Sequence, residues 1–404
     1  MAKSHIITGL DIGTSNIRVL VALRKSNSSD FEVLAQSQQP STGVRKGVVI
    51  NVDEAAKNIR QAINQAQEIV GQRINDVYIN IGGSHIYASP SHGTIVVSRA
   101  DQKISQEDIE RVIQAAQTFS LPRNKEILNV FPKEFIVDNE GGIREALGMH
   151  GVRLEAEILT LCAFSPYLKN LTSAVLGAGL QIADVIPSPL AAARACITPR
   201  QKELGTVLLD IGSGTTGMVV YGEGDLIHTA IFPVGSFNVT YDIAIGFQAD
   251  VELAEKIKKD FGCCMPFEKT KREKKKIERP DQEPLIFSHK MLTQIIEARI
   301  SEIFDLVNKE LKKISPSSQL PGGVVLTGGG ARLPRIVELA KRELKLPARI
   351  GASQNFLGLE RDPTWSTACG LVLGGSDLEE YQNLPVFGKG IAGKIKRIFK
   401  IFIP

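Results

Sequence analysis

The sequence predicts an α/β protein with two related lobes, a small inserted α+β subdomain and a C-terminal amphipathic helix. Three observations lead to this fold class. A strand that ends in an aspartate and a glycine-rich turn occurs twice, a third strand runs into consecutive glycines, and strands alternate with helices around all three. Such alternation in both halves of the chain indicates two α/β lobes with a cleft between them.

The repeated segment is an apolar strand that delivers a carboxylate to a turn of small residues. Residues 6–16 run through Asp11 into Ile-Gly and hydroxyl side chains, and residues 206–217 do the same at Asp210. A turn of this kind exposes backbone N–H groups, which suit a phosphate, beside a carboxylate that suits its metal ion. One copy alone is typical of an ordinary hairpin, because Asp and Gly favour turns. Two copies in equivalent contexts favour a nucleotide held between two half-proteins, with both carboxylates facing its metal-bound phosphates.

Each copy continues into two further apolar runs. Residues 17–23 and 31–35 follow the first copy, and residues 218–221 and 226–232 follow the second, with a polar turn between the runs. This repetition predicts two three-stranded meanders, each of which opens on an aspartate-bearing turn.

A third segment, residues 323–334, is a strand that enters the glycines 328–330. We predict a helix over 334–344 directly after them. Consecutive glycines let the backbone lie flat against a ligand where any side chain would collide. The segment is a weak signal alone, and it becomes informative beside the two aspartate turns.

Between the first meander and the middle of the chain, the pattern predicts a helix over 53–70 that stops at Gly71, and a buried strand over 77–81. The character of the sequence changes between Gly82 and Leu161, where we expect an inserted α+β unit. Its predicted elements are an alternating run at 93–97, a helix over 105–119 that opens with a Ser-x-x-Asp cap, and extended segments around 127–137.

A helix of small residues is predicted over 189–196. Small residues suit a crossing between two lobes, where backbones approach closely, and a plain alanine-rich helix is the alternative. We interpret the lysine-rich run 269–279 as a solvated loop. The remaining predicted elements are a helix over 165–178, a strand over 181–186, a segment over 235–246, a helix over 250–261 and a long amphipathic helix over 287–314.

Composition excludes several classes of protein. With 404 residues, 43% of them hydrophobic, the chain can form two cores. The five cysteines include no Cys-x-x-Cys pair and the six histidines do not cluster, so neither a disulfide framework nor a zinc site is expected. The chain begins without a signal-like leader and has no apolar run of the roughly 20 residues that span a membrane. These features lead us to expect a cytoplasmic protein.

The net charge of +4 is concentrated at the C-terminal end. Five cations and no acid follow Gly388, which leaves the rest of the chain at −1, so we expect no nucleic-acid partner. The spacing in residues 388–404 predicts an amphipathic helix that lies on an anionic membrane. Its apolar face consists of Ile391, Ile395, Ile398, Phe399 and Phe402, and its flanking cations include Lys394, Arg397 and Lys400.

The three glycine-rich segments resemble the two phosphate motifs and the adenosine motif of the actin, DnaK chaperone and sugar kinase superfamily. Over almost its whole length the chain resembles FtsA, a bacterial actin-like family that links the FtsZ division ring to the membrane. This narrower resemblance depends on the inserted unit, on the sequence Leu-Thr-Gly-Gly-Gly-Ala-Arg-Leu-Pro at 326–334, and on the basic C-terminal helix.

The resemblance implies a two-lobed actin-like ATPase fold that binds ATP and Mg²⁺. It implies a first-lobe core of residues 1–83 and 162–198, an inserted subdomain of 84–161, a second-lobe core of 199–236 and 315–382, a second-lobe subdomain of 237–314, and a linker with the membrane helix over 383–404. The implied nucleotide-binding residues are Asp11, Gly13, Thr14, Ser15, Asn16, Asp210, Gly212, Ser213, Gly214, Thr215, Thr216, Glu255, Lys258, Gly328, Gly329, Gly330 and Ala331.

Within that set, Asp11 and Asp210 face the metal through water, while Glu255 and Lys258 lie three residues apart on one helical face and reach the adenine and ribose. An exposed ion pair is the alternative for these last two. The implied partners are the C-terminal peptide of FtsZ, further copies of the chain in a filament, other division proteins and an anionic membrane. The implied location is the cytoplasmic side of the inner membrane at the division site.

Two departures from the superfamily pattern predict slow hydrolysis or none. Asn16 stands where the first phosphate motif often has lysine, although Arg18 on the same strand face is a possible substitute. The second motif ends in Gly217 where many members have aspartate, which removes a group that could orient metal or water. Two other functions stay open at this point. One is an inner-membrane assembly factor of the type IV pilus kind, which is not expected to carry the basic tail, and the other is a sugar kinase.

Overall fold

The computed structural model describes residues 6–24, 30–118, 124–266, 273–279, 282–314 and 320–383. The predicted membrane helix over 388–404 lies outside these residues. In chain order the strands are β1 (Ile6–Ile12), β2 (Asn16–Arg24), β3 (Phe31–Pro40), β4 (Val44–Arg45), β5 (Val48–Val49), β6 (Asp76–Ile81), β7 (Tyr87–Val96), β8 (Lys125–Val137), β9 (Glu140–Ile143), β10 (Arg153–Phe164), β11 (Gln181–Pro187), β12 (Thr206–Ile211), β13 (Thr216–Gly222), β14 (Asp225–Phe232), β15 (Lys274–Arg279), β16 (Gln282–Ser288), β17 (Val324–Thr327), β18 (Ala348–Ile350) and β19 (Phe356–Leu357).

The helices lie between these strands. They are α1 (Val52–Val70), α2 (Gln106–Thr118), α3 (Ser165–Gly177), α4 (Ser188–Cys196), α5 (Pro199–Leu204), α6 (Ser236–Phe247), α7 (Val251–Phe261), α8 (His289–Ile314), α9 (Ile336–Leu344) and α10 (Ser366–Asn383), with 3₁₀ turns at Gly329–Arg332 and Pro363–Trp365. In the described part of the chain, no helix combines the length and the apolar character needed to cross a bilayer.

Two sheets of related topology confirm the duplication that the sequence predicts. The first sheet has the order β11-β6-β1-β2-β3-β19 and the second has the order β14-β13-β12-β17-β18. In each sheet an antiparallel meander (β1 to β3, and β12 to β14) has two further strands beside its first strand, and the nearer of these, β6 or β17, runs parallel to that strand. The first sheet also has β19 on the other side, next to β3. Parallel strands place their carboxyl ends at one sheet edge, so the turns after β1, β6, β12 and β17 can converge on a common region.

The predicted inserted unit is a separate four-stranded sheet with the order β7-β10-β8-β9, covered by α2. The predicted helix cap is present, because Ser105 and Asp108 bond to each other's backbone N–H groups. The sheet and helix pack so closely that a Cβ atom on Gly93 would lie 2.4 Å from the backbone nitrogen of Ala116.

The small-residue helix α4 lies between the two lobes, as the crossing hypothesis predicts. Ala192 and Ala193 are buried with Leu208 and Val325 of the second sheet. On another side of α4, a Cβ atom on Gly370 of α10 would overlap the backbone of Ala191, so the two helices touch through their backbones. Small side chains are therefore a packing requirement at this position.

Three predicted elements are corrected. Part of the lysine-rich run is a strand, since β15 pairs with β16 and buries Ile277. The helix predicted from 287 begins at His289, because Phe287 belongs to β16. The helix predicted from 334 begins at Ile336, because Arg335 adopts a left-handed backbone with φ +63°.

Candidate functional site

The two aspartate turns face each other across the cleft. Ser15 Oγ in the first turn donates a hydrogen bond of 2.5 Å to Ser213 Oγ in the second. A Cβ atom on Gly214 would lie 3.0 Å from Thr14 Oγ1, so only glycine fits there without a shift of its neighbour. The two predicted phosphate motifs are thus brought together by the fold.

Each turn has the same internal bond. The N–H of Gly13 donates to the carbonyl of Asn16 at 3.0 Å, and the N–H of Gly212 donates to the carbonyl of Thr215 at 2.9 Å. A Cβ atom on Gly13 would lie 2.7 Å from that carbonyl oxygen of Asn16, so a side chain would open the turn. Both turns are tight hairpin ends of the same geometry.

Asp11, at the end of β1, is held by two neighbours. Asn80 of β6 donates from Nδ2 to Asp11 Oδ1 at 2.8 Å and accepts from the N–H of Ile12 at 2.7 Å. Arg18, which pairs with Asp11 across β1 and β2, places Nη1 3.7 Å from Oδ2. Burial raises the pKa of Asp11 to about 6, and Arg18 and Asn80 oppose this shift.

Asp210, at the end of β12, has fewer partners. Its cross-strand neighbour is Gly217, and Thr367 donates to its Oδ2 at a long 3.5 Å. Burial raises the pKa of Asp210 to about 7, and the negative charge of Asp11 raises it further, while Arg18 and Thr367 oppose the shift. The pair therefore forms a site of concentrated negative charge that a cation would stabilise.

The third turn packs directly on the second. Gly328 has φ +81°, and a Cβ atom on it would lie 2.4 Å from Asp210 Oδ1. A Cβ atom on Gly330 would lie 2.3 Å from Ile211 Cγ2, whereas one on Gly329 would meet no atom within 4 Å. Ala331 follows and is buried. Gly328 and Gly330 are therefore required for packing, whereas Gly329 is exposed and has open space around it.

Lys258 is buried and Glu255 is partly buried, so the alternative of an exposed ion pair is contradicted at Lys258. Lys258 is 7% exposed, and its Nζ lies 2.6 Å from Glu255 Oε2 and 2.9 Å from Thr240 Oγ1. Burial lowers the pKa of Lys258. Burial acts to raise the pKa of Glu255, but hydrogen bonds from Lys258 and Thr240 outweigh it and the pKa is lowered.

The first residues of α6 connect this pair to the second turn. Ser236 and Phe237 donate their N–H groups to the carbonyls of Gly212 and Ser213, and Lys258 Nζ donates to the carbonyl of Ser236 at 3.2 Å. Lys258 therefore contacts α6, the helix whose first residues bond to the second aspartate turn.

Sequence reasoning missed Asn80 and Thr367. Asn80 had a detectable signal, because it is a polar residue in an apolar strand that is followed by Gly82 and Gly83, much as Thr327 is followed by glycines 328–330. Thr367 had none, since it lies on α10, far along the chain from the residue that it contacts.

The donor set fits a magnesium ion bound mainly through water and phosphate. Mg²⁺ prefers one or two carboxylates and retains several waters, and Asp11 and Asp210 supply two carboxylates. No group of three or more His, Cys, Asp or Glu side chains capable of holding a metal occurs among the residues with described positions.

Comparison with known proteins gives the same fold. The structure of the PilM-PilN type IV pilus biogenesis complex matches with a TM-score of 0.65 at 16% identity, covering 91% of this chain and 98% of that one. MreB5 of Spiroplasma citri bound to ADP matches with a TM-score of 0.59 at 14% identity, covering 94% and 99%. At such identities the likeness concerns the fold alone.

Sequence comparison is more specific. The family model for "Cell division protein FtsA" matches residues 207–370, and that for "SHS2 domain inserted in FTSA" matches residues 83–162. Cell division protein FtsA of Pseudomonas aeruginosa is 36% identical over 377 residues, which cover 92% of this chain and 90% of that protein. The Escherichia coli K12 protein of the same description is 31% identical over 380 residues, covering 91% and 89%.

The two lobes and their facing turns define a protein of the actin-like fold. Within that class, the chain belongs to the FtsA family of cell division proteins.

Proposed function

We propose that the protein binds ATP with Mg²⁺ between the two aspartate turns and uses the nucleotide as a structural and conformational ligand. The facing carboxylates of Asp11 and Asp210 are the observation that supports this most strongly. Both have raised pKa values, and each would be stabilised in its ionised form by a divalent cation between them. When bound, Mg²⁺ would neutralise phosphate charge in this cleft.

The remaining residues divide between the two ends of the nucleotide. The turns at 13–16 and 212–216 offer backbone N–H groups and hydroxyls to the phosphates, in the way that glycine-rich turns bind anions. Gly328 to Ala331 form the surface for the adenosine, with Gly329 as the open position. Glu255 and Lys258 are proposed to reach the adenine and ribose at the edge of the second lobe.

We infer that hydrolysis is slow or absent. The residue opposite Asp210 is Gly217, so no second carboxylate stands there to orient metal or water. A Cβ atom on Gly217 would lie 2.8 Å from Pro189 Cβ, so α4 occupies the space that a side chain would need.

The test of nucleotide binding is a calorimetric titration of the full chain with MgATP. Asp210→Ala should abolish binding, because it removes a charge that faces the metal. Asp53→Ala is the matched control, since Asp53 is exposed in the first turn of α1. Unchanged MgATP affinity in the Asp210→Ala protein would show that the ligand does not bind between these turns.

We further propose that the ATP-bound protein polymerises on the membrane and tethers the FtsZ ring to the cytoplasmic face of the inner membrane at the division site. FtsA family membership supports this role. Subunits would stack head to tail, with the unit at 84–161 supplying part of the contact, because heterologous contacts that do not close produce filaments. The C-terminal peptide of FtsZ and other division proteins are the proposed partners.

The proposed membrane anchor is the amphipathic segment 388–404. Its apolar residues would enter the acyl boundary, and each cation near the surface would contribute roughly 1 kcal/mol. The residues proposed to contact lipid are Ile391, Lys394, Ile395, Arg397, Ile398, Phe399 and Phe402.

Co-sedimentation with anionic liposomes and purified FtsZ tests the membrane proposal. The unsubstituted protein with MgATP should bring FtsZ to the liposomes and form filaments on a lipid monolayer. Replacement of Phe399 and Phe402 by Glu should release the protein from liposomes while MgATP binding stays intact. Continued sedimentation of that variant at moderate salt would mean that another part of the chain is the anchor.

A further inference from the structure

The hairpin formed by β4 and β5 touches both phosphate turns at the point where they meet. The N–H of Gly47 donates to Thr14 Oγ1 at 3.0 Å. A Cβ atom on Gly214 would lie 3.1 Å from Lys46 Cα, which is as close as its approach to Thr14. The two-residue turn Lys46-Gly47 therefore contacts the first turn of one lobe and the second turn of the other.

The position of this hairpin is well determined by packing. Val44 and Val49 are 8% and 3% exposed and belong to the first-lobe core. Lys46 and Gly47 have φ +47° and +74°, as expected for the two central residues of a tight hairpin turn. Gly47 also packs against Gly83, where a Cβ atom would lie 2.7 Å from the backbone nitrogen. Lys46 is thus held beside the cleft by buried residues on either side of it.

Phosphates bound in the cleft would be stabilised by a positive side chain, and the guanidinium of Arg18 already contacts other residues. Arg18 lies 3.7 Å from Asp11, donates from Nε to Gln38 at 3.0 Å, and stacks over Trp365 with its guanidinium carbon 5.9 Å from the ring centroid. Asn16 supplies no charge. The proposed triphosphate site therefore contains two carboxylates and one guanidinium, and that guanidinium already has protein contacts. An uncommitted ammonium near the turns would stabilise the bound phosphates.

Lys46 has the chemistry that this position needs. It is exposed, and in the described part of the chain it forms neither an ion pair nor a side-chain hydrogen bond. Its flexible four-carbon stem carries a compact charge that binds phosphate as a point charge. The adenosine surface and the Glu255–Lys258 pair belong to the second lobe, whereas Lys46 approaches from the first. The hairpin that carries Lys46 touches both phosphate turns, so the ammonium group on its flexible stem can reach a phosphate bound there.

We propose that Lys46 binds the terminal phosphate of the nucleotide and thereby makes the protein distinguish a triphosphate from a diphosphate. This inference rests on the proposed nucleotide binding and adds to it a residue that the phosphate motifs do not contain.

The test compares the affinities of the full chain for MgATPγS and MgADP by calorimetry. Lys46→Asn removes the charge, and asparagine tolerates the left-handed backbone of this position, so the hairpin should be retained. We expect affinity for MgATPγS to fall about tenfold or more, as for loss of one charge-assisted bond, while affinity for MgADP changes by less than about threefold. Lys46→Arg should preserve most of the preference, and Arg45→Gln, on the adjacent strand residue, should leave both affinities unchanged.

The outcomes separate this inference from the proposal on which it rests. If the unsubstituted protein binds neither nucleotide, both fail. If it binds both and Lys46→Asn keeps the same preference for MgATPγS, or loses affinity for both nucleotides equally, nucleotide binding stands and the role of Lys46 is wrong. Equal thermal unfolding midpoints for the variants would confirm that the hairpin is intact.

Discussion

The two lobes present the same turn in different surroundings. Asp11 and Asp210 occupy equivalent positions, seven residues before their cross-strand partners. The partner of Asp11 is Arg18, whereas the partner of Asp210 is Gly217. On the parallel side, β6 brings Asn80 to Asp11 as a hydrogen-bond donor, but β17 brings Thr327 to Asp210, and the Thr327 hydroxyl bonds to Ser366 and Pro363 instead.

Burial raises the pKa of both carboxyl groups, to about 6 for Asp11 and about 7 for Asp210, and the charge of Asp11 adds to the shift at Asp210. The first carboxylate is oriented by protein donors before any ligand binds. The second has one long contact and therefore depends more on a bound cation. The duplicated motif thus supplies one carboxylate that the protein holds in place, Asp11, and one whose ionised form depends more on a bound cation, Asp210.

The largest expected effect on stability comes from adding a side chain at Gly217, the residue opposite Asp210. Gly217→Asp would place a second carboxylate opposite Asp210, but its Cβ would collide with Pro189. We expect a loss of about 4 kcal/mol in the free energy of unfolding, from overpacking and a poorly solvated charge. Urea denaturation measures this loss. A variant as stable as the parent would show that α4 can move aside, and faster ATP hydrolysis in it would support the explanation given for slow turnover.

Removal of the amide that anchors the first carboxylate should have the next largest effect. Asn80→Ala leaves the N–H of Ile12 without its 2.7 Å acceptor and Asp11 without its 2.8 Å donor. We expect a loss of about 3 kcal/mol in stability and weaker MgATP binding. Thr327→Val is the matched change in the second lobe. If the Thr327 variant reduced MgATP binding as much as the Asn80 variant, the two lobes would not differ in the way described.

A smaller effect is expected in the pH dependence of stability without nucleotide. Both folded-state pKa values lie above the ordinary value of 3.8, so the stability associated with the protonated forms is present below pH 4 and is lost as pH rises through about 6 to 7. Asp210→Asn should remove the part of this stability loss that comes from ionisation of Asp210. The nucleotide-free protein should then be more stable than the parent by about 1–2 kcal/mol at pH 8.

Denaturation between pH 5 and 8 would show this effect, with Asp53→Asn as a surface control. Asp11→Asn should also lower the pKa of Asp210, because it removes the negative charge that raises it. An unchanged pH dependence of stability in both variants would contradict the placement of the two carboxyl groups in one site. MgATP affinity of the parent protein should rise over the same range, since metal binding requires ionised carboxylates.

The repeated strand and turn, the third glycine segment and the inserted unit could be predicted from sequence, because each depends on local patterns of apolar, acidic and glycine residues. The run of small residues in α4 was also visible in the sequence and predicted a close crossing between the lobes. These signals were sufficient for the fold class and for the family, and they placed Asp11, Asp210 and Gly328 in one candidate site.

The residues that surround each carboxylate are set by long-range contacts that the sequence does not reveal. Asn80 reaches Asp11 through the pairing of β1 with β6, and Thr367 reaches Asp210 from α10, across 157 positions in the chain. Lys46 touches Gly214 because two lobes meet at one hairpin. Such contacts join residues that are distant in sequence, and their chemical roles follow from burial and neighbouring charge, which no local pattern records.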